Sequence, residues 1–273
     1  MEMDVFKTIL DRYVIPYKNY LSQAYRDRAN ECPPTVIYHK DGEPLLNRRL
    51  SDFIRAVVDA DSSLKNDIYT NGLLLPKRDG FIEFIGSLPA RFRMLVSFHF
   101  LNADGDPEND YTETNAYLRR YLTGGRTWPA NVELIFASHL IKPMTRERLE
   151  EWRESWRPFI DQGRVTVHAN VSINPWTGRI EDESCVKFNG CPYGDFGHMF
   201  FGATGNVIAC CLDLEEEIIF GNVMKDDPAE MVAKLEEFYA DQRAKVVKHA
   251  VCNNCHGLPH RTRDELLQIG VKA

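Results

Sequence analysis

The residues best suited to carry chemistry in this sequence are its cysteines, which crowd the C-terminal third of the chain. Of seven cysteines, only Cys32 precedes residue 185. The others are Cys185, Cys191, Cys210, Cys211, Cys252 and Cys255. In a reducing compartment, clustered cysteines with a Cys-x-x-Cys pair more often bind metal or do redox chemistry than form structural disulfides. Their distribution therefore predicts a metal-binding region at this end of the chain.

A β-hairpin and a helix are predicted to bring four of these cysteines together. Residues 198–201 and 206–209 flank a Thr-Gly turn, a pattern typical of a hairpin that ends next to Cys210. Asp227 begins a helix that runs to about Lys248 and leads to the Cys-x-x-Cys pair. The four residues expected to act as ligands are Cys191, Cys210, Cys252 and Cys255.

The residues around these four leave alternatives open. Cys211 is expected on the opposite side of a strand from Cys210, and therefore in the core. Cys185 could substitute for Cys191. Four thiolates suit either an iron–sulfur cluster or a tetrahedral zinc ion, and iron content and colour distinguish the two. Three histidines could also bind zinc, but they are expected at ordinary helix-end and loop positions. They are His249, His256 and His260.

Composition and charge exclude several other classes of protein. The chain has 273 residues, about one to two domains, with 44 % hydrophobic and 27 % charged residues. Its formal charge of −7 and the lack of a basic stripe argue against nucleic acid as a partner. No apolar run of about 18 residues suggests a membrane span, and charges interrupt the apolar pattern of the N-terminus. The sequence thus predicts a cytoplasmic protein.

From residue 1 to about residue 170, helical periodicity alternates with short apolar runs. The predicted strands are residues 35–38, 67–70, 92–98, 132–137 and 165–169. Helices are predicted near residues 50–58, 77–87, 110–122 and 145–160, after an opening helix that Pro16 should kink or break. Strands separated by helices predict an α/β fold with a mainly parallel sheet, either open or a partial barrel.

Polar segments follow three of these strands, where the carboxyl ends of parallel strands place functional groups. They are Gly42-Glu43-Pro44, Thr70-Asn71-Gly72 and Ser97. Taken singly, such dipeptides as Asn-Gly are ordinary turns. Their order along the chain resembles that in the radical S-adenosylmethionine (SAM) superfamily. Gly-Glu-Pro-Leu-Leu follows one strand, Thr-Asn-Gly follows the next, and Val-Ser-Phe lies in the third.

The resemblance implies a SAM site on these segments. Gly42, Glu43 and Pro44 would present backbone and carboxylate acceptors to the SAM ammonium group, and Ser97 would approach the SAM carboxylate. Glycine allows a close approach of backbone to ligand, and a carboxylate pairs with a cationic amine.

The family's cluster-binding motif, CxxxCxxC on the loop after the first barrel strand, has no counterpart here. The sequence at Met1 resembles the start of the first helix, so the expected fold is a partial barrel without its first strand. Two explanations are open. Either the missing segment lies just upstream in a longer protein, or a divergent member of the family has lost it. This chain alone is expected not to cleave SAM.

The cysteine-rich end resembles the SPASM domain, an auxiliary iron–sulfur domain that follows many radical SAM barrels. Thirteen residues separate Cys191 from Gly205, and four separate Gly205 from Cys210, as in the opening motif of that domain. Residues 220–223 match its Gly-Asn turn, and Cys252 with Cys255 its closing pair. The resemblance implies one auxiliary 4Fe–4S cluster in residues 179–273, after a barrel-like domain in residues 1–178.

Two functions remain open at this stage. The resemblance implies part of a peptide- or protein-modifying radical SAM enzyme, which depends on an upstream segment or a partner protein for the SAM cluster. The competing hypothesis is a non-catalytic protein, with an iron–sulfur cluster or a zinc ion on four cysteines, that uses a degenerate barrel as a binding or partner module. Neither hypothesis involves nucleic acid or a membrane, and no residue pattern identifies the substrate.

Overall fold

Five parallel strands build the larger part of the fold, in the spatial order β1-β2-β3-β4-β5. The computed structural model describes residues 1–18, 34–39, 42–98, 110–124, 126–139, 146–170, 191, 198–244, 246 and 248–253. The strands are Thr35–Ile37 (β1), Lys65–Thr70 (β2), Phe92–Phe98 (β3), Val132–His139 (β4) and Thr166–Asn170 (β5). All five coincide with the predicted strands to within two residues at each end, and the expected parallel α/β sheet is confirmed.

Helices connect these strands. They are Leu50–Ala60 (α2), Phe81–Gly86 (α3), Thr112–Leu122 (α4) and Arg146–Asp161 (α5), preceded in the chain by Met3–Ile9 (α1). The apolar residues of α2 recur at helical spacing, and five of them are buried, as predicted. The helix predicted over residues 77–87 is instead a 3-10 turn, Leu75–Lys77, followed by the shorter α3.

One face of the sheet carries the hydrophobic core. Met94 of β3 and Phe136 of β4 project into the same cluster as Trp156 of α5, and each is at most 1 % exposed. Because side chains alternate along a strand, the residues between them lie on the opposite face. The polar side chains of Arg93 and Ser97 lie on that opposite face.

The C-terminal module is a three-stranded antiparallel sheet with a helix. Its strands are Phe200–Phe201 (β6), Asn206–Ile208 (β7) and Ile219–Asn222 (β8), followed by Pro228–Arg243 (α6) and Ala250–Asn253 (α7). The Asp227 side chain caps α6 by accepting from the backbone N–H groups of Ala229 and Glu230. The hairpin prediction is confirmed, but α6 ends at Arg243, five residues before the predicted end at Lys248.

The opening helix belongs to this C-terminal module. The chain divides into one unit of Met1–Cys32 with Ser172–Ala273 and another of Pro33–Val171. Ile9 and Tyr13 are buried in a cluster with Val207 and Val223 of the module. Periodicity along the sequence carries no information on long-range partners, so the predicted barrel-like domain of residues 1–178 includes this helix. The predicted boundary at residue 178 itself lies outside the described residues.

Pro16 does not end the opening helix. Residues 15–18 remain helical, and the irregularity lies one turn earlier, where Leu10–Val14 forms a π-helical segment. A proline removes one backbone donor and crowds the carbonyl four residues before it, which is Arg12. The wider turn relieves that crowding without breaking the helix.

Within the described part of the chain, no helix is long and apolar enough to cross a membrane.

Candidate functional site

The hairpin β6–β7 presents Cys210 at the start of a tight turn. Gly205 closes the hairpin with a left-handed backbone (φ +89°), and a side chain there would come within 2.8 Å of a Val223 methyl group. Beyond β7, Cys210 and Cys211 lie in the turn rather than on a strand, and both are half-buried. Strand alternation therefore does not separate them, and the expected core position of Cys211 is wrong.

The loop after these cysteines is held in place by a buried carboxylate. Asp213 is 1 % exposed, and it accepts hydrogen bonds from the backbone N–H groups of Glu217 (2.8 Å) and Ile218 (2.9 Å). Its own N–H donates to the Cys210 carbonyl oxygen at 3.3 Å. These three hydrogen bonds fix the backbone of the turn that carries Cys210.

The surroundings of Cys210 suit a metal-bound thiolate. Burial raises the pKa of its thiol, and the neighbouring Cys191 and Cys211 raise it further, whereas the backbone N–H groups of Leu212 and Asp213 point at the sulfur and oppose that rise. A buried sulfur with two N–H donors aimed at it is stable as a thiolate when a cation lies beside it. The surroundings of this one sulfur therefore suit a thiolate ligand.

Cys252 lies in the same region of the module. It packs against a hydrophobic cluster that contains Ala209, the residue before Cys210. The Tyr239 hydroxyl lies 3.1 Å from the Ala209 carbonyl oxygen. The Cys252 sulfur in turn accepts a hydrogen bond from Gln242 Nε2 at 4.0 Å. One face of α6 therefore contacts both cysteine-bearing segments.

The remaining predicted ligands divide between described and undescribed residues. Cys185, Cys255, His256 and His260 lie outside the described residues. His249 packs its ring against Phe238, with centroids 5.7 Å apart. Among the described residues, no three His, Cys, Asp or Glu side chains form a group that could hold a metal ion. The complete ligand set thus stays a prediction.

Glu43, a predicted SAM-binding residue, ties two loops of the sheet unit together. Its carboxylate accepts from the Leu45 N–H (2.9 Å), the Thr70 hydroxyl (2.7 Å) and the Asn71 N–H (2.7 Å). Gly42 adopts a left-handed backbone (φ +79°). This carboxylate therefore fixes the loop after β1 against the carboxyl end of β2.

Pro44 and Ser97 complete the predicted SAM-binding set. Pro44 is buried and begins a 3-10 turn directly after Glu43. Ser97 lies next to the end of β3, on the sheet face opposite the core, in register with Ala137 of β4. Both predicted segments thus lie at the carboxyl edge of the sheet, as a parallel topology requires.

The face opposite the core also holds a polar cluster that was not predicted. Asp67 of β2 and Arg93 of β3 are in register, and they form an ion pair. Arg93 also donates to the Tyr69 hydroxyl at 2.8 Å, and the His39 ring lies 5.1 Å from the Tyr69 ring. The available signal was an acidic residue in one predicted strand and a basic residue in the next, since an acid and a base at paired positions indicate an ion pair.

Burial dominates the ionisation of this cluster. Asp67 is fully buried, and burial raises the pKa of its carboxyl, while the Arg93 guanidinium opposes the rise. Burial also raises the pKa of Tyr69 to about 12, so its hydroxyl stays protonated at neutral pH. The cluster thus holds a neutral phenol and a charge-paired guanidinium on the sheet face opposite the core.

Comparisons with known proteins agree with this architecture. Residues 191–256 match the family model of SPASM, an iron–sulfur cluster-binding domain. The crystal structure of BtrN in complex with AdoMet and 2-DOIA is similar, with a TM-score of 0.55 and 14 % identity over 97 % of this chain and 84 % of that chain. No curated protein sequence matches significantly.

A crystal structure of Streptococcus suis SuiB is also similar, with a TM-score of 0.41 and 13 % identity over 87 % of this chain and 63 % of that chain. That score is too low to establish a common fold. The SPASM match covers the cysteine-bearing module, and the similarity to BtrN extends over the parallel sheet. The C-terminal module therefore matches an iron–sulfur cluster-binding domain of the SPASM family, in a chain whose fold is similar to that of BtrN.

Proposed function

We propose that this chain is the substrate- and electron-handling part of a radical SAM enzyme that modifies a peptide or a protein. The observation that carries the proposal is the SPASM match over residues 191–256, in which Cys210 and Cys252 flank one hydrophobic cluster. Thiolate ligands suit the reducing cytoplasm, where we place the protein. A bound iron–sulfur cluster would supply one-electron transfer.

The proposed cluster is a single 4Fe–4S cluster held by Cys191, Cys210, Cys252 and Cys255. The module's own residues would orient these ligands. Asp213 fixes the turn at Cys210, and α6 supports the Cys252 segment. The proposed SAM site uses Gly42, Glu43, Pro44 and Ser97, with the SAM-cleaving cluster supplied by an upstream segment or a partner protein.

The substitution Cys210→Ser tests the proposed centre. The wild-type chain, reconstituted anaerobically with iron and sulfide, is expected to bind about four iron atoms. Cys210→Ser should lose most of that iron, because a hydroxyl is a poor substitute for a thiolate ligand. Iron and sulfide analysis with the visible absorption spectrum measures the effect. Cys32→Ser, outside the predicted ligand set, is the matched control.

Two results would contradict the proposed centre. A wild-type protein that binds one zinc ion and no iron would make it a zinc module with four cysteine ligands. Equal iron content in Cys210→Ser and the wild-type protein would remove Cys210 from the ligand set.

A second candidate function is a non-catalytic binding module, and one observation favours it. The Glu43 carboxylate already accepts three hydrogen bonds from the protein, so its contacts satisfy a purely structural role. The measurement that separates the candidates is calorimetric binding of SAM to the reconstituted chain. The proposed enzyme predicts binding that Ser97→Ala weakens about 10- to 150-fold, since one hydrogen bond to a charged group contributes about 1.5–3 kcal/mol. No detectable binding would favour the non-catalytic module.

A further inference from the structure

Gln242 is a polar residue in the buried stripe of α6. The other buried members of that stripe are apolar or aromatic: Met231, Val232, Leu235, Phe238 and Tyr239. Gln242 is only 1 % exposed, so it is removed from water as completely as they are. Burying a primary amide is unfavourable unless its polar atoms find partners. Its position therefore requires a reason beyond packing.

The contacts of Gln242 point to the cysteine segment. Its Nε2 donates to Cys252 Sγ at 4.0 Å, while its Oε1 has no hydrogen-bond partner in the described part of the chain. This orientation suits a thiolate, because an ionised sulfur can only accept hydrogen bonds. The amide N–H group thus donates to the sulfur, and the amide oxygen has no hydrogen-bond partner among the described residues. That is the arrangement expected where the negative charge on the sulfur matters.

A neighbouring turn of α6 strengthens this assignment. Tyr239, three residues before Gln242, lies with its hydroxyl 3.1 Å from the carbonyl oxygens of both Ala209 and His198. Ala209 directly precedes Cys210. Adjacent positions on one helix face therefore support the two cysteine segments separately, Tyr239 through the backbone and Gln242 through the sulfur.

We propose that Gln242 is a positioning residue of the metal centre, whose side-chain N–H stabilises the Cys252 thiolate and raises the reduction potential of the bound cluster. The inference rests on the proposed function, since it requires an iron–sulfur cluster on Cys252. Reduction adds negative charge to the cluster and its sulfur ligands, so an N–H donor stabilises the reduced form more than the oxidised form.

The test is a redox titration of the reconstituted protein monitored by electron paramagnetic resonance. Gln242→Met keeps the length of the side chain but removes the donor, and its midpoint potential is expected to shift to more negative values with unchanged iron content. Ala233→Met, at an exposed position of the same helix and without a change of charge, is the matched control and should leave the potential unchanged. A Gln242→Met protein with the wild-type potential and spectrum would overturn the proposal.

A measurement on the wild-type protein does not depend on the folding of a variant. With nitrogen-15 in the glutamine side chains, pulsed resonance spectra of the reduced cluster should show a weakly coupled glutamine nitrogen, and its absence would overturn the proposal. The two proposals fail separately. A wild-type chain without an iron–sulfur cluster refutes the proposed function, whereas a cluster without this coupling refutes only the role of Gln242.

Discussion

Replacing Arg93 with methionine is expected to destabilise the sheet unit by about 3–5 kcal/mol at neutral pH. The substitution leaves the fully buried Asp67 carboxylate without its charged partner, while the Arg93 side chain itself is 27 % exposed. Tyr69 can still donate to Asp67 at 3.3 Å, but a neutral donor does not offset the charge. Urea unfolding followed by circular dichroism measures the loss. Arg91→Met, at an exposed position two residues earlier, should change stability by less than about 0.5 kcal/mol.

The pH dependence of this loss has a definite sign. Burial raises the pKa of Asp67 above its ordinary value of 3.8, and Arg93 opposes that rise, so removing Arg93 should raise the pKa further. A carboxyl with a raised pKa in the folded state favours folding when protonated, and this contribution is lost as the pH rises through the folded pKa. The destabilisation should therefore shrink as the pH falls from 7 towards that ordinary value. A loss that is constant with pH would show that Asp67 carries no uncompensated charge.

Replacing Tyr13 with alanine is expected to destabilise the C-terminal module by about 3–5 kcal/mol. The Tyr13 ring is fully buried among Ile9, Val207, Val223 and Met231, and it packs edge-on against Phe201. Removing it opens a cavity between the opening helix and the hairpin, which a partly rigid core cannot close. The same unfolding measurement, and the retention of iron by the reconstituted protein, should both show the loss.

Two further variants separate packing from other effects at this helix. Tyr13→Phe removes only the weak contact of the hydroxyl with Met231 Sδ at 3.8 Å. It should therefore destabilise the module much less than Tyr13→Ala does. Asp11→Ala, at an exposed position on the same helix, should be close to neutral. A Tyr13→Ala protein with wild-type stability would mean that the opening helix does not support the module in solution.

Local patterns were sufficient for most of the elements. The apolar residues of α2 recur every three to four positions, and the strand β3 was predicted with its observed ends at Phe92 and Phe98, because these periods report directly which face is buried. The ends of helices that depend on tertiary packing were predicted less accurately. The helix α6 ends at Arg243 rather than near Lys248, and residues 75–77 form a separate 3-10 turn before α3.

The sequence by itself determined the classes of chemistry: thiolates at SPASM spacing, from Cys191 through Gly205 to Cys210, and Gly-Glu-Pro after the first strand of a parallel sheet. Only the tertiary structure decided which groups face one another. It packed the opening helix on the hairpin, paired Asp67 with Arg93 and pointed Gln242 at Cys252. Spacing along the chain encodes local geometry, whereas these contacts join residues from distant elements. Their energetic effect depends on burial, which exists only in the folded chain.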